Sequence, residues 1–214
     1  YQKDADDQIP PASLTKIMTM FLVYDAVAAG KAHLYDVVEI SQAAADTGGS
    51  SMHLKAGEQV TLLDLMKGMA VASGNDACVA VAEHIGGDVA SFVTMMNAKA
   101  QVLRMNNTVF KNPNGLPADG QLTTARDMLK LAVAYLLTYP NSLKIHSMTS
   151  YTHNGVTKNN SNKLLGTCDG VDGLKTGYVS ASGYNLMVTA KRNETRIVAV
   201  LLGADSPKIR LKES

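Results

Sequence analysis

The chain has 214 residues, 46% of them hydrophobic, enough for one compact domain with a substantial core or for two lobes around a cleft. Its 20 basic and 19 acidic residues leave a net charge of +1, with no long run of one sign to attract nucleic acid. No apolar stretch reaches the ~20 residues of a membrane-spanning helix, and two cysteines, Cys78 and Cys168, are too few for a disulfide framework.

Along the chain, "PPASLTKIMTMFLVYDAV" (Pro10 to Val27) opens a helix expected over 13–30, with Leu14, Ile17, Met18, Phe21 and Leu22 at helical spacing and Gly30 as its stop. Residues 31–60 read as irregular, with Gly48-Gly49-Ser50-Ser51 as a loop. Thr61 and Asp64 resemble a capping box before "LLDLMKGMAVA". Gly74 breaks that helix, "NDACVAVAEHIGG" starts the next, and Asp88 caps a third running to about Met105. "KNPNGLPADG" is a loop, and a helix follows from near Thr124. From Ser147 the character changes, and "GYNLMVTAKR" and "TRIVAVLLGA" flank "RNET" as a hairpin. Helices in the middle and strands late point to a mixed, α+β chain with a helical lobe. Met18, Met20, Met66, Met69, Met95 and Met96 are expected as core fillers, and Cys78 as a small buried residue.

Three short stretches carry chemistry. Ser13 and Lys16, three apart, are neighbours on a helix. A serine hydroxyl becomes a strong nucleophile when a base takes its proton, and a lysine is such a base only when burial or a second cation depresses its pKa. A helix N-terminus adds N–H donors that favour an oxyanion. About one S-x-x-K arises by chance in a chain of this composition, so the pair alone is equally a helix start with a solvated lysine. Ser73-Gly74-Asn75 falls at a helix break and Lys175-Thr176-Gly177 just before the β-rich tail. Singly these are a helix cap and a strand entry. The ordered set S-x-x-K, S-x-N, K-T-G is a penicillin-recognising signature.

With "PASLTKIMT", "NPNGL", "SGNDACVAVAE", "DGQLTTARDM" and "VDGLKTGYVSASGYNLM", the chain resembles the serine-type D-alanyl-D-alanine carboxypeptidases, the low-molecular-mass penicillin-binding proteins, over roughly Ala5 to Ala204. The resemblance implies the penicillin-binding-protein/β-lactamase-like transpeptidase fold: an antiparallel sheet covered by helices beside an all-helical lobe, here roughly 31–145 of a single catalytic domain. It implies removal of the terminal D-Ala from peptidoglycan stem peptides through a serine acyl-enzyme, covalent inhibition by β-lactams, no cofactor or metal, and a bacterial, extracytoplasmic setting. Ser13 would be the acylated nucleophile, Lys16 its base and Ser73 a proton relay. Asn75 would hold the substrate's peptide carbonyl, and Lys175 would supply positive potential and lower the Lys16 pKa. Thr176 would bind the terminal carboxylate, and Gly177 would leave room for substrate along the strand. The N–H groups of Ser13 and Tyr178 would form the oxyanion hole. The chain is expected to lack the family's first strands, last helix, C-terminal β-domain and membrane anchor, so that any membrane contact would run through a segment outside it.

Two departures stand out. Tyr178 follows K-T-G where some members have histidine. Ser161 stands where some carry a carboxylate-binding arginine, which leaves Lys175, Thr176 and Lys158 or Lys163 for that task. A class A β-lactamase needs a glutamate to activate the deacylating water, and none lies between Glu83 and Glu194. His33, His53, His84, His146 and His153 have no G-x-S-x-G companion and read as surface or structural residues. There is no H-E-x-x-H and no C-x-x-C for a metal. A non-catalytic peptidoglycan-binding module would be expected to lack Ser13 or Lys16, and both are present. A D,D-endopeptidase would share every motif.

Overall fold

The sharp end of the first helix is set by Pro11, with φ fixed near −69°, and by a 3₁₀ turn over Ala12–Thr15 that leads directly into α1, Lys16–Ala28. Residues 1–213 are described by the structure, a computed structural model. Ile17, Met18, Met20, Phe21, Leu22 and Val23 are all buried, so α1 is sheathed by the rest of the protein instead of resting on it by one stripe.

The segment expected to be irregular holds two short strands, β1 (Val37–Glu39) and β2 (Gln59–Thr61), paired antiparallel, with a turn of helix, α2 (Gln42–Ala45), between them. Three-residue strands are too short for alternation to show in sequence. Thr61 ends β2 and caps α3 (Leu62–Val71): its Oγ1 accepts from the Asp64 N–H at 3.1 Å and donates to the Asp64 carboxylate at 2.7 Å. α4 (Asn75–Gly86) and α5 (Val89–Val102) follow. The Asp88 carboxylate accepts from the Ser91 N–H at 2.7 Å, as the sequence indicates, and α5 ends a few residues before Met105. Met95 corrects the reading of the methionines. It is 37% exposed on the outer side of α5, whereas Phe92, Met96 and Ala100 face the core.

Thr124 caps α6 (Ala125–Thr138), and a short α7 (Leu143–His146) comes next. β3 (Ser150–His153) and β4 (Val156–Asn159) form a hairpin at Asn154-Gly155, both with positive φ, a signal the sequence reading passed over. β5 (Val171–Val179), β6 (Gly183–Arg192) and β7 (Thr195–Ala204) make a three-stranded antiparallel sheet in that order, with Asn193 turning the expected hairpin. α8 (Pro207–Lys212) packs on β6 and β7.

The loop between α2 and β2 is fastened by one carboxylate. Asp76, fully buried in the first turn of α4, accepts from the Ser51 hydroxyl at 2.6 Å, the Met52 N–H at 3.0 Å, the Leu54 N–H at 3.2 Å and the Ala77 N–H at 2.9 Å. Asp76→Ala takes this partner from three buried N–H groups, those of Met52, Leu54 and Ala77, each worth about 1–3 kcal/mol. Urea unfolding is expected to report a loss of about 3 kcal/mol with an unchanged slope. A loss below about 0.5 kcal/mol would mean that the loop is held by other contacts.

Candidate active site

Three segments meet at one amine. Lys16 is the first residue of α1 and has no exposed surface. Its Nζ donates to Ser13 Oγ at 3.0 Å, Asn75 Oδ1 at 2.7 Å and the Asn114 carbonyl at 2.7 Å. As an ammonium it has three donors and three acceptors. As a neutral amine it keeps two donors, for Asn75 and Asn114, and offers its lone pair to the Ser13 hydroxyl. That second state is a serine hydrogen-bonded to a base, the arrangement that activates a nucleophile.

Burial drives Lys16 toward it. Desolvation pushes its pKa below the usual lysine range, while Cys78 and the Asp76 carboxylate act in the opposite direction. Burial is therefore the leading cause of the Lys16 shift. The repulsion between the two lysines, which the sequence leads one to expect, shows on Lys175, brought down to about 7 by burial first and by Lys16 second.

The S-x-N stretch forms the turn between α3 and α4. Ser73 sits in the left-handed region with φ 57°, which costs a non-glycine residue about 1 kcal/mol. Neither serine nor asparagine caps the helix. Gly74 is the N-cap and Asn75 the first helical residue. The Asn75 side chain bridges the site, taking the Lys16 amine on Oδ1 and donating from Nδ2 to the Gly48 carbonyl at 2.8 Å. The Ser73 hydroxyl lies in this turn without a protein hydrogen-bond partner among the described residues.

Lys175-Thr176-Gly177 lies inside β5 and not before the β-rich tail, because β5 starts at Val171 and runs through it. Lys175 is buried and its Nζ donates to the Thr176 carbonyl at 3.0 Å. A Cβ at Gly177 would stand 3.1 Å from Ala12 Cβ and 3.1 Å from the Ser13 nitrogen, so the missing side chain lets the serine's own turn approach the strand. Strand alternation puts Lys175 and Gly177 on the helix side and Thr176 and Tyr178 on the other. Tyr178 is 54% exposed, and its ring packs on Tyr184, directly opposite in register, with centroids 4.5 Å apart. Ser161 and Lys163 are exposed and Lys158 half-buried in β4, with no hydrogen bond from any of them to Lys175 or Thr176 among the described residues.

One participant escaped the sequence reading, the Asn114 carbonyl. The loop over 112–116 turns at Gly115, whose φ of +86° and lack of a Cβ allow it to abut the Ala12 carbonyl. Thr19 Oγ1 on α1 holds it by donating to the Pro113 carbonyl at 2.6 Å. The "NPNGL" string carried the signal. Cys78 is inert as expected, buried, with Sγ donating to the Gly74 carbonyl at 3.2 Å and its pKa pushed up to about 11 by burial. No group of three His, Cys, Asp or Glu residues suited to a metal occurs among the described residues.

Comparison with known proteins bears on the family and the fold. The family described as D-alanyl-D-alanine carboxypeptidase, peptidase S11, matches residues 1–206. D-alanyl-D-alanine carboxypeptidase DacC of Escherichia coli strain K12 is 43% identical over 99% of this chain and 54% of its own length. The chain thus spans about half the length of the curated relatives it matches. Penicillin binding protein 6B from Escherichia coli superposes with a TM-score of 0.95 at 40% identity, covering 99% of this chain and 69% of the other. Penicillin-Binding Protein D2 from Listeria monocytogenes, in its ampicillin-bound form, gives 0.90 at 31% identity, covering 100% and 87%. The α+β fold is that of the penicillin-binding proteins.

The Lys175 shift predicts a pH dependence of stability. Its folded pKa of about 7 lies below its ordinary value of 10.5, so between those values the unfolded chain binds the extra proton and stability rises with pH. Below about 7 both states are protonated and the slope vanishes. One such group contributes at most about 1.4 kcal/mol per pH unit. Urea midpoints are expected to climb between pH 7 and 10 in the wild type and to climb less in Lys175→Met. Equal slopes in the two proteins would show that Lys175 keeps an ordinary pKa.

Proposed function

We propose, from the premise that this chain belongs to the D-alanyl-D-alanine carboxypeptidase family, peptidase S11, that it removes the terminal D-Ala of peptidoglycan stem peptides through an acyl-enzyme on Ser13. The observation that carries the reading is the buried Lys16 amine 3.0 Å from Ser13 Oγ, its other two hydrogen bonds taken by Asn75 and Asn114.

Lys16 takes the Ser13 proton as Oγ attacks the carbonyl of the penultimate D-Ala. The oxyanion is received by the N–H groups of Ser13 and Tyr178, which Gly177 brings close together. The Ser73 hydroxyl passes the proton to the departing amine, and D-Ala leaves. Asn75 orients the peptide, and Lys175 and Thr176 receive the terminal carboxylate. Water then hydrolyses the ester, with Lys16 again as base. A β-lactam would enter by the same attack and stay as a stable ester. The reading takes the chain as one catalytic domain with a helical lobe over about 31–145, working outside the cytoplasmic membrane of a bacterium.

Mass spectrometry after incubation with benzylpenicillin is expected to show one covalent adduct, absent in Ser13→Ala. Release of D-Ala from diacetyl-L-Lys-D-Ala-D-Ala should follow the same pattern. The acylation rate should rise with pH through a pKa lower than that of an ordinary lysine. Lys16→Arg, which stays protonated, should lose at least about a hundredfold. An adduct on Ser13→Ala, or near-normal acylation of Lys16→Arg, would refute these roles.

A further inference from the structure

The mechanism above uses only the backbone N–H of Tyr178, yet its ring is a large, half-exposed group on the strand that carries Lys175 and Thr176. Thr176 and Tyr178 leave β5 on the same face, two residues or roughly 6.6 Å apart. Tyr184 backs the Tyr178 ring at 4.5 Å with an interplanar angle of 37°, and the Arg210 guanidinium carbon lies 5.9 Å from the centre of the Tyr184 ring. The Tyr178 ring is thus braced from behind while its remaining surface faces solvent. A terminal residue whose carboxylate lies at Thr176 carries its side chain on the carbon bonded to that carboxylate, within reach of such a ring. An aromatic face suits an apolar side chain and offers little to a hydrogen atom.

We propose that Tyr178, braced by Tyr184, is a specificity-determining wall for the side chain of the substrate's C-terminal residue, and that it favours an apolar D-residue over glycine there. The inference rests on the carboxypeptidase reading, since it requires the carboxylate to lie at Thr176. It concerns the leaving residue, so the wall acts on the acylation step, before that residue departs.

The test measures kcat/KM of the full chain on diacetyl-L-Lys-D-Ala-X, with X glycine, D-Ala or D-Leu, for wild type, Tyr178→Phe and Tyr178→Thr. Threonine keeps the β-branched preference of an exposed strand position, and Tyr178→Ala is the second choice should it fail to fold. The readout is the ratio between substrates, in which damage common to all three, such as a displaced N–H at 178, cancels. The D-Leu to glycine ratio is expected to fall about tenfold in Tyr178→Thr and the D-Ala to glycine ratio about two- to threefold, with both held within twofold by Tyr178→Phe. Unchanged ratios in Tyr178→Thr, or a loss in Tyr178→Phe as large as in Tyr178→Thr, would overturn the wall while leaving the carboxypeptidase reading intact. Failure of the wild type to turn over any of the three peptides would overturn that reading and the wall with it.

Discussion

A lysine amine with no access to water, carrying hydrogen bonds to three separate segments of the chain, is the constraint from which the rest of this structure follows. Left without partners in that position, the Lys16 amine would be among the most costly groups a protein can bury. Each acceptor therefore fixes a segment. Ser13 Oγ fixes the 3₁₀ turn on α1, Asn75 Oδ1 fixes the start of α4, and the Asn114 carbonyl fixes the loop before α6. The local irregularities cluster around those acceptors. Ala12 and Ser73 both occupy the left-handed region, with φ of 49° and 57°, one beside Ser13 and the other two residues before Asn75. Strain at such positions persists when surrounding bonds over-determine the backbone.

The constraint spreads outward through partners of partners. Asn75 also donates to the Gly48 carbonyl, and its neighbour Asp76 gathers the N–H groups of Met52 and Leu54, so the long loop after α2 is positioned by the first two residues of α4. On the other side, Gly177 lets β5 approach the Ser13 nitrogen, and Gly115 lets its loop abut the Ala12 carbonyl. Both glycines are required by the same short turn. A side chain at either would push the Ser13 turn out of its place beside Lys16.

Much of this was legible from sequence because the informative residues act locally. Ser13 and Lys16 touch through helical spacing, Thr61, Asp88 and Thr124 cap helices within three residues of themselves, and the order of the three motifs carried the fold. The readings that failed depend on packing between distant segments. Periodicity marks Met95 as apolar but does not say which side of α5 the protein covers. Residues 31–60 pair as β1 and β2 across a connection of about twenty residues, which no short-range pattern reports. Lys175-Thr176-Gly177 reads as a strand entry because its glycine lowers strand propensity, and the need for that glycine arises from the Ser13 turn, more than 160 residues earlier. The Asn114 carbonyl left no trace in side-chain chemistry, since any residue supplies a carbonyl. Only the Asn-Gly turn that aims it is visible.

The two buried lysines show how identical side chains in one site are set apart by their partners. Desolvation acts on both, and each repels the other when charged. Lys16 has three acceptors placed around it, with a carboxylate, Asp76, acting from nearby, so its surroundings serve the charged and the neutral forms alike. Lys175 has one backbone acceptor, in its own strand, and Arg210 adds a further repulsion. The second lysine is therefore the one whose charge is least compensated by the protein itself. An uncompensated buried cation holds positive potential that an incoming carboxylate can neutralise, and neutralising it restores the ordinary preference of lysine for its proton. Lys16 is thus the buried lysine whose amine is shared among three acceptors, and Lys175 the one whose charge meets a single backbone carbonyl.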